Sequence, residues 1–376
     1  MSLVSIIKDQ DPGRAVREAI RLIGGMSQLV KAGDRVLIKP NLVVPAPPER
    51  GTTTNPNVVR AVCELAVKAG AKEVIVADSP FIYYKARDAF AKTGVEEAVR
   101  AVGARVAYLD EEEYTEVSVP DPMVLSRLRL PKIALDVDVT ISVPKMKTHL
   151  MATVSLGIKN QHGLLLSQDK KIAHREDIHL KLLDILKVQK PSLVVVDGFP
   201  ALEGQGPTYG DPVQMNLAVA GLDTVSVDAV CSSLMGFEPM EIPMIRAAHA
   251  EKLGNADLNT ITIVGEKPES VTRKFKRPSF QLVKVFPNVE AYVGGACGPG
   301  CMAWIRTALD GLDRYKRLDK MGRVNIIVGR TDDIPAKLEG RTFVVGDCAE
   351  AMKSLGTYVP GCPCFDIIRV LFDATR

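Results

Sequence analysis

Lys145, Lys147 and Lys159 fall within one short stretch, interleaved with His149, Ser155 and Asn160 and followed by His162. No Asp or Glu occurs between Asp138 and Asp169. A solvated basic loop ordinarily mixes in acidic residues, so this run points instead to an anion-binding site. Lysine suits that task, because its ammonium is a compact charge with three donors, matched to phosphate or carboxylate oxygens. Histidine is the usual proton-transfer group near neutral pH, and a lysine held among other lysines has its pKa lowered toward the same range. The stretch therefore has the means both to hold a small anion and to move a proton on it.

Sulfur is the second concentration of chemistry. Of the seven cysteines, Cys63 and Cys231 sit in apolar helical contexts and read as buried, inert thiols. The other five, Cys297, Cys301, Cys348, Cys362 and Cys364, crowd the last eighty residues. Thiolate ligands suit iron–sulfur clusters and zinc alike. Zinc fingers show closely spaced pairs, whereas Cys297, Cys301, Cys348 and Cys362 follow one another at intervals of 4, 47 and 14 residues. That spacing favours an iron–sulfur cluster, 4Fe–4S first, held by loops of a folded module. Zinc is the alternative cofactor, and a redox dithiol or unliganded thiols are the remaining readings. Cys362 and Cys364 both stay open as the last ligand.

These residues need a frame that brings them together. An apolar run at 137–143 reads as a buried strand stopped by Pro144. The basic stretch then lies just past a strand's carboxyl end, where an open α/β sheet places its ligand. Further short strands are expected at 3–7, 35–38, 74–77, 105–109, 126–130, 193–196 and 260–264. Helical spacing covers 13–32, 56–69, 86–101, 176–189, 224–235 and 241–253, with Asn55-Pro56 as a helix start. The alternation predicts a doubly wound α/β domain with a largely parallel sheet over 1–266. A charged segment from Lys267 to Arg277 sets off a smaller C-terminal cysteine-rich α/β module at 278–376. The glycines around 204–206 match neither a phosphate-binding P-loop nor a dinucleotide fingerprint.

With 376 residues, 46% hydrophobic and 25% charged, the chain has an ordinary globular composition. A net charge of +3 without arginine-rich runs argues against a nucleic-acid partner. No apolar run has the length of a membrane span, the N-terminus carries no hydrophobic signal core, and the odd cysteine count argues against a disulfide framework. A cytoplasmic location is expected.

Six pieces in order resemble the domain-of-unknown-function 362 family: 36–42 with Lys39-Pro40-Asn41, Thr53-Thr54-Asn55-Pro56, Ala69-Gly70-Ala71 leading to Asp78-Ser79-Pro80, Pro144-Lys145-Met146-Lys147-Thr148-His149, Gly157-Ile158-Lys159-Asn160, and Val196-Asp197-Gly198. The resemblance spans roughly 36–265. It implies the α/β fold, an iron–sulfur module in the tail, and no assigned reaction. It nominates substrate-binding Lys39, Asn41, Thr53, Thr54, Ser79, Lys147, Lys159 and Asn160, with catalytic Lys145, His149, Asp78 and Asp197. The expectation is a redox enzyme acting on a small anionic substrate, with an electron-transfer protein as partner. A non-catalytic carrier with a structural metal is the alternative. A metal-dependent hydrolase using His149, His162, His174 or Asp78 ranks below both, for want of a ligand pair.

Overall fold

The computed structural model describes residues 2–173, 177–295 and 300–376. The chain divides between Arg277 and Pro278 into two compact units. In the first, the strands are β1 (Ser2–Lys8), β2 (Arg35–Pro40), β3 (Glu73–Asp78), β4 (Arg105–Tyr108), β5 (Tyr114–Ser118), β6 (Arg127–Pro131), β7 (Val139–Val143), β8 (Lys145–His149), β9 (Thr153–Val154), β10 (Leu193–Glu203), β11 (Asp211–Val213), β12 (Leu217–Gly221) and β13 (Ile261–Gly265). The main sheet runs β13-β1-β12-β10-β7-β2-β3-β4. Its neighbours are parallel except at β12, which is antiparallel to both β1 and β10.

A parallel sheet must be covered on both faces, and the strand sequences reflect this. In β2, Val36 and Ile38 enter one apolar cluster and Leu37 the other; in β10, Leu193 and Val195 oppose Val194 and Val196 in the same way. The helices Pro12–Leu22 and Pro56–Lys68 bury their apolar faces in the first cluster, and Ile178–Val188, Thr224–Leu234 and Pro243–Ala250 bury theirs in the second. The unit is a doubly wound α/β fold around a large, mostly parallel sheet. The second unit carries β14 (Val289–Val293), β15 (Val324–Val328), β16 (Arg341–Val345) and β17 (Thr357–Val359), all parallel and in that order. The helices Gly300–Arg314 and Ile367–Asp373 belong to it.

Three expectations are corrected. The helix expected over 13–32 ends at Leu22, because Gly24 and Gly25 take φ of 107° and 83°, a left-handed path that stops a helix. Residues 145–149, expected just past the end of a strand, form a strand of their own. Pro144 interrupts the ladder, and β8 then takes β10 as partner, with Lys145 opposite Asp197 and Lys147 opposite Leu202. The strand expected to stop at Val196 runs on to Glu203, so Asp197 lies mid-strand. Gly198 permits this, since a Cβ there would come within 2.9 Å of the Leu217 carbonyl oxygen.

Candidate functional site

Alternation along β8 sends successive side chains to opposite faces. Met146 joins the apolar core, and Thr148 Oγ1 donates to the Gly204 carbonyl at 2.9 Å. Lys145, Lys147 and His149 share the other face. Both lysines are buried, at 0% and 1% exposure.

Two ion pairs anchor the site. Lys39 Nζ lies 2.7 Å from Asp78 Oδ1 across the neighbouring ends of β2 and β3. Lys145 Nζ lies 2.8 Å from Asp197 Oδ2, with both side chains fully buried. Taking charges out of water is expensive, and such pairs hold only where further hydrogen bonds complete them. Asp78 Oδ2 accepts from the Leu42 amide at 2.7 Å. Asp197 accepts from the Asn55 amide at 2.6 Å and the Phe199 amide at 2.8 Å. Gly163 closes over the first pair, where an added Cβ would sit 2.5 Å from both Asp78 Oδ1 and Lys39 Nζ. Gly163→Ala should therefore cost about 1–3 kcal/mol, seen as a lower urea midpoint at unchanged slope. An unshifted midpoint would mean that the pair yields freely.

Lys147 and Lys159 have no carboxylate partner among the described residues. Lys147 Nζ donates to Asn41 Oδ1 at 2.9 Å, to the Thr52 carbonyl at 2.6 Å and to the Pro207 carbonyl at 3.4 Å. Burial, and then the charges of Lys145 and Lys159, push its ammonium well below the usual lysine range. Half-buried Lys159 has no hydrogen-bond or ion-pair partner among the described residues. Burial with the Lys170 and Lys39 charges lowers it to about 7. Lys170, on the helix Ser167–Ala173, is likewise lowered to about 7 by burial, although Asp78 opposes the shift.

The nominated polar residues converge unevenly. Asn160 Oδ1 accepts from Lys39 Nζ at 3.4 Å and Asn41 Nδ2 at 3.1 Å, linking the first ion pair to the Lys147 network. Thr54 Oγ1 accepts from the Asn41 amide at 2.8 Å. Ser79 Oγ sits 2.5 Å from Lys170 Nζ. Thr53, by contrast, donates to the Ala46 carbonyl at 3.4 Å. His149 Nδ1 accepts from the amides of Met151 and Ala152 at 3.1 and 3.3 Å, which commits its lone pair to a local turn.

Two residues escaped the sequence reading. Lys170 lies beyond the basic stretch, one residue after Asp169, and so looked like part of an ordinary charged surface. Asp228, in the middle of a helix, accepts from the Gly157 and Ile158 amides at 2.6 and 2.8 Å and so fastens the turn that carries Lys159. Burial raises its carboxyl to about 7.

In the second unit, Gly346 marks a meeting point of sulfur. A Cβ on it would lie 3.4 Å from Cys301 Sγ and 3.6 Å from Cys348 Sγ. The Cys364 amide donates to Cys301 Sγ at 3.2 Å, as expected where backbone offsets the charge of a thiolate, while Cys364 Sγ donates to the Val359 carbonyl at 3.3 Å. Cys362 is exposed, and Cys297 lies outside the described residues. Among the described residues no group of three or more Cys, His, Asp or Glu gathers to hold a metal ion. The Cys301–Cys348 pair, with a glycine leaving room between the sulfurs, nonetheless fits the donor chemistry of a thiolate-bound cluster.

Fold and site together define a two-unit protein with an α/β domain built around buried lysines. The chain belongs to the family known as the domain of unknown function DUF362, which matches residues 36–233. A thylakoid-associated protein of Synechocystis sp. is 34% identical over 246 residues, covering 64% of this chain and 74% of its own. Among solved structures, the lactate racemase apoprotein of Thermoanaerobacterium thermosaccharolyticum gives a TM-score of 0.43 at 14% identity over 87% of this chain and 69% of its own. A Thermotoga maritima protein gives 0.37 at 10% identity over 94% of this chain and 93% of its own. Among the described residues, no helix is long and apolar enough to cross a membrane.

Proposed function

We propose that the first unit binds a small anionic molecule, phosphate- or carboxylate-bearing, among Lys39, Lys145, Lys147, Lys159 and Lys170. The observation that carries this reading is the charge imbalance: Lys39 and Lys145 are matched by Asp78 and Asp197, while Lys147 and Lys159 have no carboxylate within ion-pair distance among the described residues. An interior that concentrates positive charge in this way is stabilised by an anion entering it. On this reading Lys159, titrating near neutral pH, moves the proton. The two ion pairs position the lysines around it, and His149 holds the turn after β8.

The second part of the proposal is that the protein is a redox enzyme of the cytoplasm. An iron–sulfur cluster on the second unit would exchange electrons with the bound molecule and with an electron-transfer protein. The Cys301 and Cys348 sulfurs beside Gly346 support it. Cys297 and either Cys362 or Cys364 would complete the ligands.

Calorimetry with inorganic phosphate tests the anion site. Lys147 is a poor probe, since removing its amine strands three oxygens, but Lys159 has no partner among the described residues to strand. Lys159→Ala should weaken phosphate binding by about 1.5–3 kcal/mol, the range for a hydrogen bond to a charged group. The melting temperature should hardly move. Unchanged affinity would refute the assignment.

A further inference from the structure

Which buried groups can reach a ligand follows from where their hydrogen bonds already go. An ammonium has three donors and no acceptor. Lys39 Nζ directs its donors to Asp78 Oδ1, the Pro40 carbonyl at 3.1 Å and Asn160 Oδ1. Lys147 Nζ directs its own to Asn41 Oδ1 and to the Thr52 and Pro207 carbonyls. Neither amine has an N–H left for an anion. Lys145, by contrast, meets Asp197 and no other acceptor among the described residues.

Two hydroxyls also stand ready. Thr52 and Ser155 are 1% and 2% exposed, and neither Thr52 Oγ1 nor Ser155 Oγ has a hydrogen-bond partner among the described residues. Buried hydroxyls left in that state are rare, because each has lost its hydration without a replacement. Ser155 follows β9, and the pairing of Thr148 with Val154 and His149 with Thr153 continues as the Ser155 amide donates to the Lys147 carbonyl at 2.9 Å. Ser155 thus stands opposite Lys147. Residues opposite each other in an antiparallel pair turn their side chains to the same face, here the one that carries Lys145 and Lys147. Thr52 approaches from another segment. Its carbonyl takes the Lys147 ammonium at 2.6 Å, so covalent geometry keeps its hydroxyl close by. Further along that segment, the Asn55 amide meets Asp197 Oδ2, the oxygen that Lys145 Nζ also reaches. Residues 52–55 therefore run beside both lysines of β8.

Resting on the anion reading above, we propose that Thr52 and Ser155 are ligand contacts, their hydroxyls donating to the oxygens of the oxyanion beside Lys145, while Lys39 and Lys147 act on it through their charge alone. Hydroxyls suit this task in an interior already holding buried ammonium groups, since they bond an anion without adding another charge. A hydrogen bond from a neutral hydroxyl to an ionised oxygen is also shorter and stronger than one between neutral groups.

Titration calorimetry of the full chain with inorganic phosphate, beside thermal unfolding of the ligand-free protein, tests this in Thr52→Val, Thr52→Ser and Ser155→Ala. Thr52→Val and Ser155→Ala should each weaken phosphate binding about tenfold or more. The melting temperature should hold or rise by up to about 4 °C, because the group removed has no partner to lose. Thr52→Ser keeps the hydroxyl and should bind nearly as the parent chain does. Hydroxyls that serve only the fold would give the reverse, a lower melting temperature with phosphate affinity unchanged. That result, or a loss in Thr52→Ser as large as in Thr52→Val, would overturn this inference and leave the anion site standing. No phosphate binding to the parent chain would overturn both.

Discussion

Asp197→Ala should destabilise the first unit by about 3–5 kcal/mol, the range for stripping one partner from a buried ion pair. Lys145 would be left fully buried without its counter-charge, and the Asn55 and Phe199 amides would lose their acceptor. Urea unfolding followed by circular dichroism gives the measurement. Lys145→Met combined with Asp197→Leu should recover part of the loss, because no lone charge then remains, although the two amides still lack an acceptor. If Asp197→Ala costs less than about 1 kcal/mol, as for an ordinary surface change, Lys145 is neutral in the folded protein and the pair does not hold the site together.

Protein purified without oxygen should be brown, with broad visible absorption that bleaches on reduction and about four irons and four sulfides per chain. Cys348→Ser and Cys301→Ser should each remove most of the colour, since their sulfurs flank Gly346. Cys63→Ser should leave it intact, because burial pushes that thiol up to about 12 and away from ligand chemistry. Colourless protein with about one zinc per chain, the structural alternative, would remove the electron-transfer part of the proposal. The anion site would be unaffected.

Much of the frame was legible because parallel strands buried on both faces leave short apolar runs, and β2, β3, β7 and β13 were found that way. Residues 145–149 were placed beyond a strand's end and not within the sheet, for a physical reason. A strand carrying Lys145, Lys147 and His149 looks solvated, and only the Asp197 partner on β10, 52 residues away, makes its burial tolerable. Asp197 was placed at a strand end because Asp-Gly ordinarily marks a turn; the close approach of the Leu217 carbonyl, which the glycine serves, is a tertiary fact. Lys39, Lys145, Lys147 and Lys159 with Asp78 and Asp197 could be collected from the sequence by type. Their pairing could not, since neither Lys39 with Asp78 nor Lys145 with Asp197 is close along the chain.

The Asp228 carboxylate ties the turn bearing Lys159 and Asn160 to a helix that starts 67 residues later, at Thr224. Gly157 allows the tie, since a Cβ there would come within 2.8 Å of Asp228 Oδ1. The position of the partnerless amine is thus set at long range, by how deeply the helix Thr224–Leu234 seats against its neighbours. A conservative change on that helix's packed face, such as Val225 or Val230, would shift a ligand-facing lysine without touching it. If the lysines hold an anion as proposed, variation at such apolar positions would alter the size of anion accepted without changing any of the lysines.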